Sequence, residues 1–202
     1  MKSKVLLVAI LALASSGVVA GEIVEIRNKE DDIAVLIDVI PFAAGRHKLE
    51  FRGDGNDPQG DSALWKVDGA RFSGTDGSIP IKEIASFRLL VGNKCFQVPD
   101  KAFRLLFQPG LIAETYPLEE GYRASRPAAL RREHGKILFV WGGGDGAGSY
   151  SAYWEFYLGK GSVKRTIYEM PEDSPERVDY FSLVACVQSP VSPEEPPRKK
   201  DE

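Results

Sequence analysis

Apolar positions along this chain come in short runs or alternate with polar ones, which is the signature of strands rather than helices. Tyr150, Ala152, Trp154, Phe156 and Leu158 alternate with Ser149, Ser151, Tyr153, Glu155 and Tyr157, the period of a strand with one face in a core. Ile33 to Ile40 is a β-branched run, and Lys136 to Trp141 has the composition of a buried strand. His47 to Phe51, Ala63 to Val67, Phe87 to Val91 and Lys94 to Val98 are short apolar segments bounded by glycine, asparagine or proline. Gly92-Asn93 is a two-residue hairpin signal. Gly159-Lys160-Gly161 turns the chain into Ser162–Met170, and Val178 to Val187 reads as a last strand.

Helix signals are few. Asp100 is placed to cap Lys101–Phe107, with Gly110 as the stop. Ser125 is placed to cap a short helix over Pro127–His134, with Gly135 as its stop. The expected class is therefore mainly β, at the margin of α+β: antiparallel sheets in a sandwich-like arrangement with one or two short helices.

The ends differ in character. Met1-Lys2-Ser3-Lys4 is followed by ten apolar residues, Val5 to Ala14, then by Ser15, Ser16, Gly17 and Val18-Val19-Ala20. A basic head, a short apolar run and small residues before a cut predict a cleavable signal peptide over 1–20. The run is too short for a spanning helix. At the other end, 190–202 is rich in proline and charge, and is expected to be disordered.

Losing Lys2 and Lys4 with the leader takes the basic residues from 26 to 24 against 29 acidic ones, a net charge of −5. That sign gives no general attraction to nucleic acid or anionic lipid. No later run is long enough to span a bilayer, so no integral membrane segment is expected after cleavage. An exported chain meets an oxidising compartment, and Cys95 and Cys186 are expected to form a disulfide. In the chain-entropy account such a long loop is worth about 4–5 kcal/mol.

An offset of 89 residues brings Gly21-Glu-Ile-Val-Glu onto Gly110-Leu-Ile-Ala-Glu and Ala63-Leu-Trp65 onto Ala152-Tyr-Trp154. With two more residues inserted, Cys95-Phe-Gln-Val-Pro99 meets Cys186-Val-Gln-Ser-Pro190. The pattern suggests an internal duplication, with units over 21–108 and 109–189 packed on each other. Chance agreement is the competing explanation.

The candidate chemistry is thin. Gly142-Gly-Gly-Asp-Gly-Ala-Gly148 fits a dinucleotide fingerprint only as letters, because Ser149–Leu158 reads as a strand where that fingerprint needs a helix, and no cofactor is expected. The run is either a loop that engages a partner or a long hairpin connection needing glycine's backbone freedom. Asp54-Gly-Asn-Asp-Pro-Gln-Gly-Asp61 is oxygen-rich but lacks the calcium-loop glutamate, since its twelfth residue is Trp65. His47 and His134 stand far apart with no metal-ligand spacing, and nothing resembles Gly-x-Ser-x-Gly around a nucleophile. Arg123, Arg126, Arg131, Arg132 and Lys136 form a basic stretch that reads as the solvated face of a short helix or as a contact for an acidic partner. Among Trp65, Trp141, Tyr150, Tyr153, Trp154 and Tyr157, alternation sets Trp154 on the apolar face and Tyr153 and Tyr157 on the other.

The expected binding set is Gly143, Gly144, Asp145, Gly146, Tyr150, Tyr153 and Tyr157, with no catalytic or metal residues. The leading expectation is an exported, non-enzymatic binding protein of the inhibitor or immunity type, periplasmic or secreted, with another protein as partner. A glycan-binding or envelope-associated module is the alternative, and a secreted hydrolase the third reading.

Overall fold

The computed structural model describes residues 21–53, 63–110, 128–144, 148–169 and 177–187, together with the backbone of 6–9. The chain is mainly β, as its patterning predicts. The strands are β1 (Leu6–Ala9), β2 (Glu22–Asn28), β3 (Ile33–Pro41), β4 (Leu49–Arg52), β5 (Ala63–Val67), β6 (Lys82–Val91) and β7 (Lys94–Gln97). They continue as β8 (Pro109–Gly110), β9 (Ala129–Glu133), β10 (Lys136–Gly143), β11 (Tyr150–Tyr157), β12 (Ser162–Glu169), β13 (Arg177–Ser182) and β14 (Val184–Cys186). The first sheet has the order β1-β2-β3-β6-β7-β14. The second runs β13-β12-β11-β10, and both β8 and β9 pair with β10. Every strand pairing is antiparallel, and β4 and β5 form a separate ribbon.

The two large sheets face each other across one core. Ile26, Val35, Ile37, Phe87 and Leu89 from the first sheet meet Phe139, Trp141, Trp154, Phe156 and Ile167 from the second. Phe87 is the hub. Its ring centroid lies 4.9 Å from Trp154, 5.5 Å from Trp141, 5.8 Å from Phe139 and 6.1 Å from Phe156. Trp141 and Trp154 stack behind it, 5.0 Å apart. On β11 the alternation is clean: Ala152, Trp154 and Phe156 are buried, while Tyr153, Glu155 and Tyr157 face outward and are half-exposed.

Neither expected helix forms. Ala128 and Leu130 are buried while Ala129 and Arg131 are exposed, and β9 continues through a His134-Gly135 turn into β10. Both turn residues have positive φ, 47° and 79°, the geometry of a two-residue hairpin. Ser125 and Pro127 lie outside the described residues. Alanine, leucine and arginine favour a helix locally, but the eight residues 127–134 cannot hold one alone, and the open edge of β10 offers a ladder instead. Over 101–107 only the 3₁₀ turn Asp100–Ala102 appears. The Phe107 N–H donates to Ser73 O at 2.9 Å, which draws the chain into a bridge with the 73–75 segment rather than a second helical turn.

Gly92-Asn93 does close a two-residue hairpin, with Val91 opposite Lys94. The last predicted strand divides at Leu183. Its first part, β13, pairs with β12, and its second, β14, crosses to β7 of the other sheet. Cys186 thereby lies directly opposite Cys95, and the two form a disulfide with Cα atoms 5.0 Å apart. Sheet one comes from the first half of the chain except for β14, which the disulfide clips in place. Within the expected leader, Leu6–Ala9 pairs with β2 as an edge strand. Loop 54–61 and tail 190–202 lie outside the described residues.

Candidate functional site

At one end of the sandwich, next to the glycine run, lies a cavity of about 470 Å³. That is within the usual size of a small-ligand pocket. One wall is β5, with Ala63, Leu64 and Trp65, and the opposite wall is Ile167 and Glu169 of β12 with Arg177 of β13. The irregular segment 71–77 closes it.

That segment forms no sheet ladder of its own, yet it is tightly held. Leu64 N–H donates to Gly77 O at 2.6 Å, Ser73 N–H to Leu105 O at 3.0 Å, and Gly74 N–H to Gly148 O at 3.0 Å. The buried Ser73 hydroxyl donates to Glu169 Oε1 at 2.5 Å, tying the segment to the second sheet. Behind Glu169, the inward faces of β12 and β13 carry a polar column. The buried Arg165 guanidinium donates to Ala102 O and to Asp179, and Arg177 Nε stands 3.6 Å from the same Asp179 carboxylate. On the opposite wall the guanidinium carbons of Arg71 and Arg52 lie 4.2 and 5.0 Å from the centre of the Trp65 ring. Such contacts fix both the cations and the indole.

The glycine run belongs to the frame of this end. Gly144 N–H donates to Gln108 O at 3.0 Å, and Gln108 Nε2 to Gly74 O at 3.3 Å. A Cβ on Gly143 would meet the Tyr150 hydroxyl at 2.6 Å, and one on Gly148 would meet Thr75 C and O at 2.2 Å. Backbones cross here at distances that only glycine permits. Tyr150, expected in the binding set, is buried instead. Its hydroxyl donates to Phe107 O at 3.1 Å, and burial pushes the phenol pKa up. Asp145 and Gly146 lie outside the described residues.

Tyr153 and Tyr157 sit elsewhere, on the outer face of the second sheet. Tyr153 packs edge-on to Tyr168 with centroids 5.2 Å apart, and the Tyr157 hydroxyl donates to Glu155 at 2.8 Å. Glu155 also accepts from Lys136 and Lys164. Partial burial works against its charge, but these three donors outweigh it and hold the carboxyl at about 2. Lys136 of the basic stretch is thus engaged, Arg131 and Arg132 lie exposed on β9, and Arg123 and Arg126 lie outside the described residues. The structure therefore does not gather the expected residues into one surface. The cavity residues Arg71, on one side, and Glu169 and Arg177, about a hundred positions further along the chain, carry no local motif that could have marked them.

His47 is the other polar centre. Its Nδ1 lies 2.9 Å from Asp68 Oδ2 and its Nε2 2.8 Å from Glu83 Oε2, and its ring stacks on Phe42 with centroids 4.6 Å apart. Both ring nitrogens are engaged, so neither is open to take a proton from a substrate. The two carboxylates lie on opposite ring nitrogens, so the trio is a clamp rather than a metal centre. It ties the start of β4 and the end of β5, and with them the cavity wall, to β6.

Burial lowers the His47 pKa, but the hydrogen bonds and charges of Asp68 and Glu83 outweigh it and raise the value above 6.5. A raised folded pKa gives stability that is complete below the unfolded pKa and is lost as pH rises through the folded one. Wild-type protein should therefore lose stability relative to His47→Gln as pH rises above 6.5 through the folded value, read by urea unfolding at a series of pH values. Parallel pH profiles for the two proteins would refute the clamp.

The chain matches no family model, no curated protein and no solved structure. Its disulfide is a bond that an oxidising compartment sustains. Among the described residues no helix is long and apolar enough to cross a membrane.

Proposed function

We propose that this chain is a non-enzymatic binding protein, exported to the periplasm or beyond, that takes part of a partner protein into the cavity beside the glycine run. The observation that carries this reading is the cavity itself: a preformed pocket whose lining mixes apolar side chains with four charged ones, framed by backbone crossings that hold its shape. The state of His47 supports binding over hydrolysis, because the acids beside this histidine engage both of its ring nitrogens. The disulfide and the leader-like residues 1–20 support export. Cleavage after Ala20 would remove β1 and leave β2 at the sheet edge.

A pull-down from an envelope extract tests the reading, with mature protein from Gly21 as bait. Asp76→Trp fills the mouth of the cavity from an exposed position. One protein retained by the native bait and lost with Asp76→Trp is the expected result. Retention indifferent to Asp76→Trp would overturn it. A glycan-binding role has one observation in its favour, the outward row of Tyr153, Tyr157 and the largely exposed Tyr180. Glycan retention abolished by Tyr153→Ser with Tyr180→Ser would select it. The mass of the exported chain tests the leader: residues 1–20 still present would rule out cleavage.

A further inference from the structure

We infer that the cavity recognises a carboxylate carried on an apolar group, with Arg71 and Arg177 as the anion clamp. The inference rests on the cavity being the binding site. Four charged side chains line it: Arg71, Asp76, Glu169 and Arg177. The acids are accounted for. Glu169 accepts the Ser73 hydroxyl at 2.5 Å, and Asp76 is exposed at the rim, where water serves it. Asp179, behind the wall, accepts from Arg165.

One cation has a donor to spare. Arg177 Nε is buried and has no hydrogen-bond partner among the described residues, Asp179 being 3.6 Å away. Arg71, exposed at the rim like Asp76, rests its guanidinium on the Trp65 ring at 4.2 Å, a contact with the π face that fixes the cation beside the opening. A buried donor left unpaired is costly, and a guanidinium matches a carboxylate with two parallel hydrogen bonds. Among the described residues that line the cavity, the one buried side-chain atom left unpaired is thus a donor, Arg177 Nε, and it selects an acceptor-only group. Leu64, Phe72 and Ile167 supply the apolar lining that would cover the body attached to it.

Two kinds of molecule share this chemistry, a small apolar acid and the C-terminal carboxylate of a peptide ending in an apolar residue. Isothermal titration of the full mature protein separates them. The probes are 3-phenylpropionate and its amide, and acetyl-Gly-Leu-Phe as acid and as amide. An acid should bind at least tenfold more tightly than its own amide, the scale of one charge-assisted hydrogen bond. Which acid binds identifies the source. Arg71→Gln and Arg177→Gln should each remove most of that preference, while Arg131→Gln, exposed on β9, leaves it intact. Arg71→Lys keeps the charge but not the fork, and should recover it only in part. Thermal melts confirm that each variant is folded.

Equal binding of acid and amide would overturn the clamp and leave the cavity a binding site without preference for anions. So would failure of both acids while partner capture still depends on the open cavity. Capture that ignores Asp76→Trp would remove the underlying site as well.

Discussion

Phe87→Ala will lower the unfolding free energy by about 3–5 kcal/mol, the largest loss expected from any single truncation in the core. Phe87 is fully buried on the first sheet's inner face, and of the five rings around it four come from β10 and β11 of the second sheet, the fifth being Phe103. Removing it deletes the contact through which one sheet reads the other. The walls cannot close on the space, because Trp141 and Trp154 are already stacked on each other and both are pinned in paired strands. For a domain whose total stability is about 5–15 kcal/mol, this is a large fraction. Phe87→Leu, which keeps most of the volume, should cost about 1–1.5 kcal/mol. Phe51→Ala, at a half-exposed ring on β4, should cost under about 0.5 kcal/mol. Urea unfolding followed by tryptophan fluorescence measures all three. A loss at Phe87 no larger than at Phe51 would mean that the two sheets do not share this core.

How much of the structure is legible in the residues depends on how local each signal is. The alternation of Tyr150–Leu158 fixes both the strand and the direction of every side chain on it, because the period of a strand is set by its own backbone. The Gly92-Asn93 turn is equally local. The Cys95–Cys186 bond needs only an even count and an oxidising compartment, and with two cysteines its partners are unambiguous. The division of 178–187 between two sheets is different. Nothing in Ser182-Leu183-Val184 marks a crossing, and the choice is made by which strand edges remain open, β12 on one side and β7 on the other. The stretch 127–134 fails as a helix for the same reason: its propensity is real, but the edge of β10 decides.

The candidate site shows the same division. The glycine run is visible in the sequence, and so is its need for glycine, but there it reads as a surface. The reason for the glycines lies in segments far away along the chain, 73–75 and 107–110, which cross them at backbone distance. Trp65 is visible as an aromatic. That it carries Arg71, lines one cavity with Arg177 and lies on the strand that His47 anchors through Asp68 cannot be seen, because those residues share only a place in space.

Gly148→Ala decides between the two meanings of the glycine run, because they predict opposite signs. If the glycine served chain freedom, alanine would narrow the unfolded ensemble and stabilise the protein by about 0.4–1 kcal/mol. The packing says otherwise. A Cβ there would stand 2.2 Å from the Thr75 carbonyl carbon and oxygen and 2.6 Å from its nitrogen. These are backbone atoms with no rotamer to move, so the two strands of chain must separate. Separation breaks the Gly74 N–H to Gly148 O hydrogen bond at 3.0 Å and shifts the segment that closes the cavity. Overpacking of this kind and the lost bond together cost about 3 kcal/mol, and the melting temperature should fall by roughly 6–12 °C. Gly159→Ala is the control: its Cβ would meet nothing within 4 Å and its φ is not positive, so the change should be within about 0.5 kcal/mol of zero. A stabilised Gly148→Ala protein would return the run to the role of a loop built for movement. A destabilised one, with ligand uptake weakened alongside, makes the glycines the joints that give the cavity its shape.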